Sequence, residues 1–311
     1  TETDRRRIRS AFGFYMAPAF VEELARRPEK LKLGGEMREM TLMFLDVRGF
    51  TSLAEGLDAE AVTRFVNRLM TPLSTAILEE RGTIDKYMGD AIMAFWNAPL
   101  DDPDHVRHAA RAALGAIDRL DELNRRLVTE FKSSSTDERP IRIGIGLNTG
   151  ICCVGNLGSE LRFDYSVIGD NVNVASRLEE LTKDYGLPII VGEATAAAVT
   201  DMALIEIDRI SLRGKTQVST IYALLGNEDY RAGARFQRLL IQHQALLGEM
   251  RAGRIAAALS ALPQCRKTGG DELAALYDFY EARLAGQLRE APDAATPPLV
   301  EARPTAAAQE A

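Results

Sequence analysis

Four polar residues of this chain are of types that can do chemistry, and their spacing narrows which. Asp46 ends the apolar run Thr41-Leu-Met-Phe-Leu45 and leads into Val47-Arg48-Gly49. Asp90 follows Gly89 inside GTIDKYMGDAIMAFW, between two strand-like stretches. Asn173 and Arg177 lie four residues apart in VNVASR, which puts both on one face of a helix. A carboxylate set against the end of a buried strand is costly unless it is paired or binds a cation. Two such carboxylates side by side repel and raise each other's pKa unless divalent metal ions neutralise them. Singly, Asp46 would serve as a cap and Asp90 as a turn residue; jointly they point to a divalent metal site.

Elements must bring these residues together, and the hydrophobic pattern predicts them. It gives a strand over 41–45 and a helix over 59–80, with Val62, Phe65, Val66, Leu69 and Leu73 on one face. A tight hairpin follows, with Gly89-Asp90 at its tip; Ile84, Lys86 and Met88 point one way, Asp85 and Tyr87 the other. Next come a long helix over 103–131, strands over 141–148 and 151–154 around Thr149-Gly150, and a short strand over 165–168. A helix over 171–185, a strand over 187–191 and a β-pair over 205–212 and 218–224 complete the core. Such an order describes an α+β fold, a mainly antiparallel sheet with helices packed on it. The apolar first strand needs neighbours on both edges. Beside the hairpin, it places Asp46 and Asp90 at one end of the sheet.

Around this core the chain divides into a helical lead-in over 1–37, the core over 38–226, a helical extension over 227–290 and a tail over 291–311. The extension reads as two helices broken near Pro263 and Gly269-Gly270. The Pro/Ala/Glu-rich tail is expected to be disordered. A net charge of −7 over 311 residues speaks against a broad nucleic-acid surface, so no nucleic-acid partner is expected.

Three cysteines, two of them adjacent, form no secreted disulfide framework and fit a reducing cytoplasm. No apolar run is long enough to span a bilayer, and no signal peptide is evident. The basic Arg5-Arg6-Arg7 cluster fits a solvated helix start or the cytoplasmic flank of a preceding membrane segment. His105 and His108 suit one helix face, but zinc needs further ligands, so they read as surface residues of a first turn. Cys152 and Cys153 read as core packing, with a thiol near the site that could be sensitive to oxidation.

FLDVRGFTSLAE, DKYMGDAIMAFW, RIGIGLNTG and YSVIGDNVNVASRLE, in this order, resemble the catalytic domain of class III nucleotide cyclases, of the bacterial adenylyl cyclase type. The resemblance implies a ferredoxin-like, palm-like sheet and an enzyme that turns ATP or GTP into its 3′,5′-cyclic monophosphate and pyrophosphate. It implies two divalent ions, Mg2+ or Mn2+, held by Asp46, Asp90 and the backbone carbonyl of Val47. Asn173 is implied to orient the ribose, and Arg177 to stabilise charge on the α-phosphate in the transition state.

Lys86 and Ser166 occupy the two positions that read the purine in this family. Lys86 can donate to adenine N1, where guanine presents an N–H. Adenylyl members keep the lysine and guanylyl members usually carry glutamate. At the second position adenylyl members have aspartate or threonine, so Ser166 is a departure, and a hydroxyl both accepts and donates. Lys86 therefore carries the expectation of ATP. Arg213 and Lys215, in SLRGKTQVSTIYAL, are implied to bind the β- and γ-phosphates, with arginine where the family has lysine.

The resemblance further implies a head-to-tail homodimer. Asp46 and Asp90 come from one protomer, and Lys86, Ser166, Asn173 and Arg177 from the other. The lead-in resembles the segment joining an upstream sensor or membrane domain, absent from this chain, to the cyclase. Two rival readings are a guanylyl cyclase, which the Lys86/Ser166 pair discriminates, and a non-catalytic nucleotide-binding regulatory domain, which would lack one of these positions.

Overall fold

In the computed structural model, which describes residues 33–50, 58–131, 140–211, 218–290 and 300–301, the apolar run before Asp46 is the middle of a longer strand, β1 (Gly34–Arg48). Met40, Leu42, Met43 and Leu45 are fully buried, as a central strand requires. β1 pairs antiparallel with β3 (Ala91–Trp96) on one edge and β4 (Arg142–Gly158) on the other. β2 (Thr83–Met88) pairs with β3, and β5 (Phe163–Ile168) with β4, both antiparallel. Helices α1 (Ala59–Glu79) and α2 (His105–Phe131) pack on each other, α1 also against β2 and α2 against β1, β3 and β4. These elements belong to the first of two compact units, Thr1–Glu180 and Leu181–Ala311. Helix α3 (Asp170–Tyr185) contains the boundary.

In the second unit, β6 (Ile189–Gly192), β8 (Val218–Gly226) and β7 (Ala203–Ser211) are antiparallel neighbours in that order. After the short helices α4 (Glu193–Ala198) and α5 (Glu228–Ala232) come α6 (Ala234–Arg251), α7 (Ile255–Gly269) and α8 (Ala274–Glu290). A buried polar cluster ties this extension to β7. His243 of α6 has Nε2 2.6 Å from the Glu206 carbonyl and Nδ1 3.1 Å from the Tyr277 hydroxyl. Tyr280 of α8 donates to the Ile207 carbonyl at 2.6 Å. Burial pushes the His243 pKa down to about 4, so the ring is neutral at physiological pH and serves as a structural strut.

The α+β architecture with a C-terminal helical extension stands as expected; several details differ. Strand β1 begins at Gly34, so the last residues assigned to a helical lead-in are extended, while 1–32 lie outside the described residues. Their mixed, largely exposed composition hides a strand that exists because Gly34–Met40 pair with Gly150–Asn156 of β4. Thr149-Gly150 is no turn. β4 runs through it, pairing Thr149 with Thr41 and Gly150 with Met40. The glycine instead answers a close approach, since a Cβ there would lie 2.4 Å from Asn171 Nδ2.

In the extension, the chain breaks between α6 and α7 at Gly253, whose φ of +68° favours glycine, and Pro263 lies inside α7. The break at Gly269-Gly270 is present, with Gly270 at φ +66°. Of the tail, Val300–Glu301 form a short strand, β9, parallel to β7; the rest of it lies outside the described residues. His105 is not a surface residue. It is buried, with Nδ1 2.8 Å from the Thr41 hydroxyl, and burial lowers its pKa. His108 Nδ1 lies 2.7 Å from Asp102 Oδ2.

A second glycine sets the position of α3 on the sheet. A Cβ on Gly146 would lie 2.3 Å from the Ala175 carbonyl oxygen and 2.3 Å from the Glu179 amide nitrogen, both backbone atoms. Gly146→Ala must therefore push α3 away. We expect a loss of about 1–3 kcal/mol of stability or more, read as a lower urea midpoint at unchanged m-value.

Candidate active site

Asp46 lies one residue before the buried Val47, in register with Ala91 on β3 and Gly144 on β4. Asp90 immediately precedes Ala91, in the turn that Gly89 forms at φ +66°. Adjoining strands thus carry the two aspartates at the same end of the sheet, one residue out of register. Both are half-buried. The charge of Asp46 is felt at Arg48, whose guanidinium also faces Glu179.

Among the described residues no group of three or more His, Cys, Asp or Glu side chains gathers. Two carboxylates and a backbone carbonyl are nevertheless a fitting donor set for Mg2+, which keeps waters and substrate phosphates as its other ligands. Soft-metal chemistry does not suit such oxygens.

Helix α3 follows β5 through Gly169, at φ +147°. Asn148 of β4 donates its amide to the Asn171 carbonyl at 3.1 Å, and Asn171 donates to the Ile151 carbonyl at 3.0 Å. Those bonds fix the start of the helix on the sheet. Ala175 and Leu178 are buried, which turns Asn173 outward and leaves Arg177 half-buried. Arg177 is ion-paired with Glu180, three residues on.

Lys86 and Ser166, the two predicted base readers, meet at β2 and β5. Tyr165 of β5 packs on Phe95 of β3, with ring centroids 6.2 Å apart, and Val167 joins the core that holds Met40, Leu42 and Met93. That packing brings Ser166 to β2. Its hydroxyl donates to Asp85 Oδ2 at 2.8 Å, and the Lys86 ammonium stands 3.6 Å from the same oxygen. The Asp85 side chain is 1% exposed and that of Lys86 49%. Burial pushes the Asp85 carboxyl up, opposed by the Ser166 hydrogen bond and the Lys86 charge.

Asp85 is the residue that alternation along β2 misplaced. The register shifts between Ile84 and Lys86, a β-bulge with Asp85 as the extra residue. A bulge breaks the two-residue period, so Asp85 and Lys86 reach one place instead of opposite faces. The available signal was a carboxylate next to a lysine in IDKYMG, but only the pairing with β3 shows where it turns. Arg213 and Lys215 lie outside the described residues. Cys152 is buried, and burial raises its pKa to about 11, which leaves little thiolate for oxidation.

Residues 35–226 match the model of the adenylate and guanylate cyclase catalytic domain. The chain belongs to that family. Adenylate cyclase 1 of Rhizobium meliloti is 34% identical over 190 residues, 61% of this chain. The chain spans only 28% of the length of that relative. In solved structures, the adenylyl cyclase CyaB from P. aeruginosa superposes with a TM-score of 0.54 at 31% identity, covering 63% of this chain and 97% of the chain in that structure. The guanylyl cyclase Cya2 superposes with a TM-score of 0.56, also at 31% identity, covering 63% of this chain and 95% of the chain in that structure. Overall likeness to an adenylyl and a guanylyl cyclase is thus equal. The choice of base rests on individual side chains. Among the described residues no helix is long and apolar enough to cross a membrane.

Proposed function

We propose that this chain is an adenylyl cyclase, converting ATP to 3′,5′-cyclic AMP and pyrophosphate, with residues 38–226 as its catalytic part. Lys86, held beside Ser166 by the buried Asp85, is the observation that carries the choice of ATP. An ammonium donates to the N1 lone pair of adenine, whereas guanine would set its own N–H against it.

In the reaction the ribose 3′-oxygen attacks the α-phosphorus in line with the bond to the β-phosphate. The new O–P bond forms, the bond to the bridging oxygen breaks, the hydroxyl proton passes to solvent, and pyrophosphate leaves with the electron pair. Asn173 orients the ribose by hydrogen bonding. Arg177 exchanges Glu180 for the α-phosphate and holds the charge that grows there, with a fork of donors that stays protonated. Asp46, Asp90 and the Val47 carbonyl would hold two divalent cations, Mg2+ or Mn2+, which acidify the attacking hydroxyl and neutralise the triphosphate. Arg213 and Lys215 are the proposed partners of the β- and γ-phosphates.

The proposal includes a head-to-tail homodimer in which each site draws on both protomers. Register sets Met37 opposite Cys153 and Cys153 opposite Ile168, an apolar row on one face of β1, β4 and β5. Met37 is 69% exposed, Ile168 57% and the neighbouring Ile151 53%, an apolar surface that a second copy would cover. Free cysteines at 152, 153 and 265 are consistent with a cytoplasmic setting.

The test is product analysis of the purified chain, given ATP or GTP with Mg2+ and then with Mn2+. Cyclic AMP is expected as the main product, with specific activity falling on dilution to monomer. Mainly cyclic GMP would make the chain a guanylyl cyclase, and no product with either metal would leave a regulatory domain. Activity indifferent to dilution would remove the shared sites.

A further inference from the structure

We propose that Asp85 determines purine choice by acting through Ser166. It takes the hydroxyl hydrogen, leaves Ser166 able only to accept, and so selects a purine with a 6-amino group over one with a 6-oxo group. The inference rests on the cyclase reading above for the two base-reading positions. A serine hydroxyl has one hydrogen and two lone pairs, so free in solution it suits either purine.

Here it is not free. Ser166 is 8% exposed and the Asp85 side chain 1%, so little water competes for the hydrogen that Ser166 gives to Oδ2 at 2.8 Å. An ionised carboxylate can only accept, and it fixes the direction of that bond. Burial raises the Asp85 pKa, and the Ser166 hydrogen bond and the Lys86 ammonium, 3.6 Å from the same oxygen, oppose that shift. The ammonium is itself held near Ser166. Adenine offers an acceptor at N1 to the lysine and a donor at its 6-amino group to the serine. Guanine offers the reverse at both, an N–H facing an ammonium and a carbonyl facing a lone pair. The carboxylate thereby gives the Ser166 hydroxyl the polarity that complements the ammonium, which can only donate.

Asp85→Asn keeps the shape and removes the constraint, because the amide N–H can donate to Ser166 and free the hydroxyl hydrogen for a 6-oxo group. The experiment measures kcat/KM for ATP and for GTP in the full chain, for Asp85→Asn, Ser166→Ala and the double variant. The ATP:GTP ratio is expected to fall about 10–100-fold in Asp85→Asn, as for loss of a charge-assisted hydrogen bond, and largely through a gain with GTP. In the double variant the two effects should not add. Equal losses with both nucleotides, or fully additive effects, would overturn the proposal and leave Asp85 a structural residue.

Competition of ATP and GTP against a fluorescent nucleotide reads the same ratio without turnover. A chain that binds but makes no cyclic nucleotide overturns the catalytic reading, while the binding ratio still decides Asp85. One that binds neither nucleotide overturns both. If Asp85→Asn does not fold, Ser166→Thr must keep the ratio and Ser166→Ala must lose it; any other pattern overturns the proposal.

Discussion

Asp46→Ala is expected to fold like the parent chain and to form cyclic AMP at least ~10³-fold more slowly, the loss of roughly 4 kcal/mol of transition-state stabilisation. The two halves of that expectation have different origins. Folding survives because β1 is held by backbone pairing with β3 and β4 and by buried Met43 and Leu45, none of which needs the carboxylate. Asp46 is half-buried and its charge favours the neighbouring Arg48 guanidinium, so the unfolding midpoint should stay near the parent's or fall somewhat. Catalysis fails because one carboxylate and one carbonyl are too few to hold two ions against water. Asp46→Asn, nearly isosteric but uncharged, should lose almost as much. Chromatographic assay of cyclic AMP beside a thermal melt measures both halves. Undiminished activity would remove Asp46 from the site.

Arg177→Ala is expected to lower kcat about 10²–10³-fold with a smaller change in KM for ATP, the signature of an interaction made mainly in the transition state. In the resting chain its guanidinium rests on Glu180, within the same helix. That pair is a helical neighbour contact worth a few tenths of a kcal/mol, and the half-buried Arg177 has further contacts besides it. A thermal melt beside the kinetics separates any loss of stability from the loss of rate. Arg177→Lys should recover part of the rate at most, since a point charge lacks the two-pronged geometry that follows a phosphorus centre through inversion. A raised KM at unchanged kcat would instead make Arg177 a ground-state grip on the triphosphate.

Much of the architecture was legible because burial leaves a periodic trace. The run before Asp46 had to be a central strand, and β3 and β4 flank it. GTIDKYMGDAIMAFW had to be a hairpin, and Gly89 takes the left-handed turn between β2 and β3. VNVASR had to be helical, and α3 turns Ala175 inward and Asn173 outward. What escaped were places where pairing partners, instead of local composition, set the conformation. Gly34–Met40 are extended because β4 continues beside them. Gly150 resembles a turn residue, yet its lack of a side chain admits Asn171. His105 looks like a first-turn surface residue and is buried on Thr41.

The sequence by itself determined the chemistry on offer: hard oxygen donors at 46 and 90, a helix face bearing an amide and a guanidinium, and an ammonium donor at 86. Residue type and spacing carry that information because donors, acceptors and charges are properties of side chains. Only the tertiary structure decided which way those groups face. A bulge in β2, visible only in its register with β3, turns Asp85 toward Ser166 and gives an otherwise two-way hydroxyl one direction. Hydrogen-bond polarity belongs to a pair of groups, and these two partners stand 81 residues apart in the chain.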